Sequence, residues 1–247
     1  MKSFLSALQF LTRLRVTHFL KINEEAAFGR SMLFFPLIGL MIGVLLALVA
    51  FCSNFIFQPL TTAILVLAAE FLITGGLHLD GLMDSADGLL SGREREKVLI
   101  IMKDSCVGGM AVLAVFFLLS LKLAFLTELF AENLFVILIA MPVIGRWAII
   151  YTMISYPYAR KEGLGGIFHQ QARNTHLIIT SLYSAGLLLF ILPVKLYPAP
   201  LLTVLCVFLC AHRINKVLGG HTGDTYGAAN ELAELFFLFW CAVLTKI

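Results

Sequence analysis

The chemistry-bearing core of this sequence is the run GGLHLDGLMDSADG, from Gly75 to Gly88, which sets Asp80, Asp84 and Asp87 at i, i+4 and i+7. On a continuous helix these carboxylates form one stripe, and like charges at that spacing oppose the helix that carries them. A divalent cation removes the conflict. An all-oxygen ligand set suits Mg²⁺ or Mn²⁺, which typically joins a few carboxylates to the phosphates of a substrate. Zinc fits poorly, because His78 has no second histidine or cysteine at ligand spacing. The plainer reading is a solvated helix start whose acids interact favourably with the helix dipole.

Three further segments carry polar groups between apolar ones. MKDSCVGG, from Met102 to Gly109, offers Lys103 to a phosphate and Asp104 as a further metal ligand, with Gly108 and Gly109 allowing close backbone approach to an anion; it reads equally as a capped helix start. YARKEGLGG, from Tyr158 to Gly166, sets Arg160 and Lys161 beside three glycines, a phosphate-holding loop or a basic turn; it lacks the GxxxxGK[ST] pattern and is no P-loop. GGHTGDTYGAANELAE, from Gly219 to Glu234, brings His221, Thr222, Asp224, Asn230 and Glu231 to the start of an apolar run. Asp224 and Glu231 are seven apart and share a face of a helix, opposite the first stripe or simply favouring a helix N-terminus.

The elements that must position these groups are membrane spans. Of 247 residues, 60% are hydrophobic and 13% charged, about half the charge of a soluble chain. The mean hydropathy is +0.94. These values exclude a soluble globular protein, a disordered chain and a disulfide-stapled secreted one. The net charge of +3 is too mild for a nucleic-acid surface, and Cys52, Cys106, Cys206, Cys210 and Cys241 contain no CxxC pair. A helix crossing about 30 Å of hydrocarbon needs roughly 20 apolar residues. Seven segments qualify, at 32–56, 59–79, 107–127, 134–155, 177–197, 199–217 and 227–245, with six as the fallback count. The fold class is therefore all-α, a single polytopic bundle of about seven spans over residues 1–247.

The segment from Met1 to Lys21, with Phe4, Leu5, Leu8, Leu11 and Leu14 at near-helical spacing, suits a helix lying in the interface and not a cleavable signal. Five Lys and Arg precede the first span, none lie in the next gap, then four, none and three follow. By the positive-inside rule the N-terminus and the polar segments 75–109, 156–176 and 218–234 face the cytoplasm. Ionisable groups inside spans default to cavity-facing placement. Arg146 is expected to reach a phosphate from its span end, and Lys122 to snorkel outward.

Acids, cations and glycine-rich backbone on one side suit phosphoryl transfer, with direct attack by an acceptor hydroxyl, since neither GxSxG nor a supported Cys-His pair is present. The four motifs in this order, preceded by FLTRL ending at Leu14 and FFPLIGLMIG at 34–43, closely resemble the cobalamin synthase family, the adenosylcobinamide-GDP ribazoletransferases. The resemblance covers nearly the whole chain. It implies that α-ribazole or its 5′-phosphate attacks adenosylcobinamide-GDP, giving adenosylcobalamin or its phosphate and releasing GMP. It also implies Mg²⁺ dependence and a place in the bacterial inner membrane, with the lipid bilayer, a second copy or other corrinoid enzymes as partners.

Motif matching carries metal binding to Asp80, Asp84 and Asp87, with Asp104, Asp224 and Glu231 as further members. It carries catalysis to Asp84, His78 and Lys103, and substrate binding to Arg160, Lys161, Arg146, His221 and Thr222. Two departures stand out: Cys106 replaces a usual basic residue, and Arg15 to Thr17 lacks a proline turn. A CDP-alcohol phosphotransferase is disfavoured, because Asp84-Ser85 stands where Ala-Arg is required. An ion-coupled transporter would use Glu70 and Arg146, but the polar residues gather at one face and no internal duplication is seen.

Overall fold

In lipid a backbone must satisfy its own hydrogen bonds, and apolar runs of this length do so as helices. A computed structural model describes residues 2–14, 29–131 and 133–246. Its helices are α1 (Lys2–Leu11), α2 (Phe35–Asn54), α3 (Pro59–Thr74), α4 (Leu77–Leu89), α5 (Arg95–Ile101), α6 (Gly109–Glu128), α7 (Leu134–Ser155), α8 (Leu164–Gln171), α9 (Asn174–Ile191), α10 (Pro198–Leu218) and α11 (Gly223–Lys246). The described residues contain no strand, only an isolated bridge between Tyr158 and His221. Six helical segments are long and apolar enough to cross a membrane: Gly29–Asn54, Gly109–Glu128, Leu134–Ser155, Asn174–Ile191, Val194–Leu218 and Gly223–Lys246. The chain is a multi-pass membrane protein.

The expected span at 59–79 is the one that changes. It ends at Thr74, and α4 departs at 92° to α3; only if the bent pair is one span does the count reach seven. Gly75 and Gly76 have φ of +68° and +74°. Two successive left-handed residues are readily available only to glycine. The Asp stripe therefore lies on a helix of its own, set off from α3 by this bend. At the N-terminus α1 covers half of the expected Met1–Lys21 helix and packs Ala7 and Leu11 into the core. Arg15 to Thr17 and the remainder to Lys21 lie outside the described residues.

The centre of the bundle is the α2–α7 pair. Gly39 and Gly43, one turn apart on α2, lie so close to α7 that an added Cβ would strike the backbone at Pro142 and at Ile139. Pro142 has no N–H for the carbonyl one turn before it, and Gly43 lies beside that carbonyl, of Leu138. Small residues at a membrane helix crossing let backbones approach and gain van der Waals contact, the main source of cohesion where no hydrophobic effect acts between helices. Gly43→Leu is expected to lower the thermal unfolding midpoint in detergent through overpacking of about 1–3 kcal/mol. Leu48→Ala, at a position on the same helix facing outward, should leave it unchanged.

Candidate active site

The polar segments meet at one end of the bundle because α4 crosses the start of α11 on two glycines. A Cβ on Gly81 would lie 2.6 Å from the Asp224 carbonyl oxygen, and one on Gly227 would lie 3.1 Å from that of His78. This crossing sets Asp80 and Asp84 opposite Asp224. The loop before α8 joins through the bridge, in which Ala159 N–H donates to the His221 carbonyl and His221 N–H to that of Pro157, both at 2.8 Å. Arg160 thereby reaches Asp224, 2.7 Å away, and also donates to the Met102 carbonyl at 3.3 Å. Arg95 ties α10 to the same corner by donating to the carbonyls of Leu218 and Ala159.

Asp84 registers the crowding. Burial, then the neighbouring charges of Asp224 and Asp80, push its carboxyl up to about 6, against the opposing pull of Arg160. Asp87 sits on the same stripe but turns to another task. Its two oxygens accept the backbone N–H groups of Gly108 at 2.6 Å and Ala111 at 2.8 Å, so a side chain of α4 caps the N-terminus of α6. Among the described residues no three His, Cys, Asp or Glu side chains converge at metal-ligand spacing.

Asp80 and Asp224 rim a cavity of about 250 Å³ whose walls include Gly163, Leu164 and Gly165 of the α8 loop and the rings of Phe10, Tyr158, Phe168 and Tyr226. His78 also lines it. Both its ring nitrogens and the Tyr226 hydroxyl are buried without a hydrogen-bond partner among the described residues. Burial, then Arg146, lowers His78 to about 3, so the imidazole is neutral at physiological pH.

The other predicted residues are placed elsewhere. Lys103, Asp104 and Lys161 are exposed at the surface, and Asp104 accepts the Cys106 N–H in a local turn. His221 is buried behind the site, bonded to Thr225 and to the Ala211 carbonyl, and held down to about 4 by burial. Thr222 closes the start of α11 through Thr225, with its hydroxyl 3.4 Å from Asp224. Arg146 was expected at a phosphate; it is wholly buried and pairs with Glu234. Lys122 does not snorkel outward. It is buried 2.8 Å from Glu231, 2.7 Å from Glu234 and 3.6 Å from Glu70, so Glu231 is committed to an ion pair and does not face Asp224's partners. The aromatic rings of the cavity went unrecognised in the sequence because nothing local distinguishes them from ordinary core residues. Glu231 and Glu234, three apart in an apolar run, were the legible sign of the buried cluster.

The chain matches the cobalamin-5-phosphate synthase family over residues 3–242. It belongs to that family. Similar proteins include the adenosylcobinamide-GDP ribazoletransferases of Desulfitobacterium hafniense, 39% identical over 96% of this chain and 95% of the relative, and of Clostridioides difficile, 34% identical over 99% and 98%. That of Alkaliphilus oremlandii is 38% identical over 100% and 99%. No solved structure matches the chain. Membership of the cobalamin-5-phosphate synthase family makes the chain an enzyme, a transferase of cobalamin synthesis.

Two outcomes test the electrostatics. The Asp84 carboxyl is raised from 3.8 to about 6 on folding, so its contribution favours the native state below pH 4 and is lost as pH rises through 6. In metal-free detergent at pH 8, Asp84→Asn should therefore raise the unfolding midpoint, by about 1 kcal/mol after allowance for solvent screening, and the gain should shrink towards pH 4. Lys122→Met should lower the stability at pH 8 by about 3–5 kcal/mol, because it strands buried carboxylates, and the loss should shrink at acid pH as they take up protons.

Proposed function

We propose that the chain transfers α-ribazole, or its 5′-phosphate, onto adenosylcobinamide-GDP with release of GMP, at a Mg²⁺-dependent site formed by α4, the α8 loop and the start of α11. The observation that carries this reading is the meeting of Asp80, Asp224 and Arg160 at one cavity, with Asp84 close enough to feel the charge of all three. The relatives' activity as adenosylcobinamide-GDP ribazoletransferases suggests the substrates.

The donor chemistry fits a hard divalent cation: the acids supply oxygen alone, and their mutual repulsion, visible in the raised Asp84, is the charge such an ion would neutralise. No three of these side chains converge at ligand spacing as they stand, so Asp80, Asp84 and Asp224 would hold it by closing on it, with Asp87 keeping α6 in place. When bound, Mg²⁺ shields the negative charge of the diphosphate and of the departing phosphate. Arg160 orients the diphosphate and opposes charge on the leaving GMP. The acceptor hydroxyl oxygen attacks the phosphorus that bears the cobinamide, the P–O bond to GMP breaks, and the hydroxyl proton passes to solvent at the mouth, since His78, held down to about 3, is too weak a base to take it. Lys103 and Lys161, both exposed, belong to the outer approach, where they attract an anionic substrate. The positive-inside count supports a cytoplasmic mouth in a bacterial inner membrane.

Purified protein given adenosylcobinamide-GDP, ribazole phosphate and Mg²⁺ should release GMP, and chelation should stop the release. Asp84→Asn should cut turnover by at least a hundredfold, about 2.7 kcal/mol of barrier, while the protein stays folded. Undiminished turnover by the variant removes Asp84 from the site.

A further inference from the structure

We propose that the 250 Å³ cavity beneath the acidic mouth seats the acceptor nucleoside, with its flat heterocycle among the four aromatic rings and its polar atoms bonded to Tyr226 and His78. This assignment rests on the transferase reading above and goes beyond it by naming which reactant occupies which space. Two independent features point to a ligand. Tyr226 and His78 both line the cavity, are only 4% and 3% exposed, and leave the Tyr226 hydroxyl and both imidazole nitrogens buried without a hydrogen-bond partner among the described residues. Buried polar groups are normally satisfied, and leaving them so is costly. The surrounding rings are also tightly grouped, with Phe10 and Phe168 at 4.6 Å between centroids and Tyr158 and Tyr226 at 6.4 Å.

Size and polarity separate the candidate occupants. Pockets for drug-sized ligands run from roughly 300 Å³ upward, so this cavity admits one nucleoside and excludes a corrin macrocycle. A guanine presents adjacent N–H donors on its pairing edge, best met by the two oxygens of one carboxylate, whereas the buried groups here are a phenol and a neutral imidazole, each a single donor and a single acceptor. An uncharged heterocycle with a ring acceptor and a hydroxylated sugar matches those groups. A separate groove of about 800 Å³ opens on the other side of Asp80, lined by Arg13, Phe71, Gly75, Gly76 and Met83 among others, and has room for the macrocycle. Asp80 and Leu77 border both spaces. The reacting phosphate is thus delivered to the wall that separates them.

The test is equilibrium binding of free α-ribazole to the purified full chain in detergent, without Mg²⁺ or the corrinoid, with folding of each variant checked by size exclusion and circular dichroism. Tyr226→Phe, which removes one hydroxyl, should weaken binding about tenfold, and His78→Gln should weaken it comparably. Asp84→Asn should bind ribazole as the unaltered chain does although its GMP release falls at least a hundredfold, so loss of turnover and loss of the nucleoside seat are read separately. Equal ribazole affinity in folded Tyr226→Phe and His78→Gln would overturn the assignment. So would displacement of ribazole by GMP at concentrations near its own dissociation constant, which would make the cavity the guanine's.

Discussion

Everything in this protein hangs on how α11 is held inside the bundle. Glu231 and Glu234 project from it into a region where an unpaired charge is expensive, and they are met there by Lys122 from α6 and Arg146 from α7, with Glu70 of α3 beside them. Asn230 donates to Glu234 at 3.2 Å and so joins the same cluster. Exchanging such ions for apolar residues is often neutral or favourable, so the cluster is weak ground for stability as such. Its effect is on register. A slip of one residue along α11 would break pairs to several helices at once, and the first turn of α11 carries Asp224. We read the interior charges as the device that fixes the height and rotation of the acid at the cavity mouth.

That placement has value only if α4 comes equally close, and here backbone takes over from charge. The Gly75-Gly76 corner turns the chain out of the direction of α3, and Gly81 and Gly227 remove the side chains that would otherwise hold α4 away from α11. Electrostatics within the stripe push the other way, as the raised Asp84 carboxyl records. Close packing of glycine against backbone is short-ranged and directional, whereas carboxylate repulsion at a wet mouth is screened. The packing therefore prevails over the repulsion.

What was legible in the sequence follows from the range of each force. Spans were readable because hydrophobic length is a local property; six of them appear close to the expected limits. The helical stripe of Asp80, Asp84 and Asp87 was likewise readable from spacing, and α4 is continuous through all three. The turn at Gly75 was not, because the glycines sit inside an otherwise apolar run and the same residues could pack within a straight span. Lys122 was misjudged for a similar reason: a lone lysine among apolar residues looks the same whether its ammonium reaches water or meets carboxylates more than 100 residues away. Long-range pairing decides such cases, and one-dimensional patterning does not contain it. The aromatic cavity shares the problem, since Phe10, Phe168 and Tyr226 come from three separate helices.

Asp87 shows how the stripe divides its labour. A helix N-terminus presents N–H groups that have no intrahelical acceptor, and in α6 two of these are at Gly108 and Ala111. Gly108 offers no capping side chain of its own. Asp87 supplies the missing acceptor from another helix and meets the positive end of the α6 dipole, which offsets part of the repulsion from Asp84. Gly108 is also constrained by that contact, because a Cβ there would fall 2.6 Å from an Asp87 oxygen. The three acids of one helix face are thus not equivalent. Asp80 and Asp84 remain close to Asp224, while Asp87 anchors α4 to α6 and so holds the other two in position.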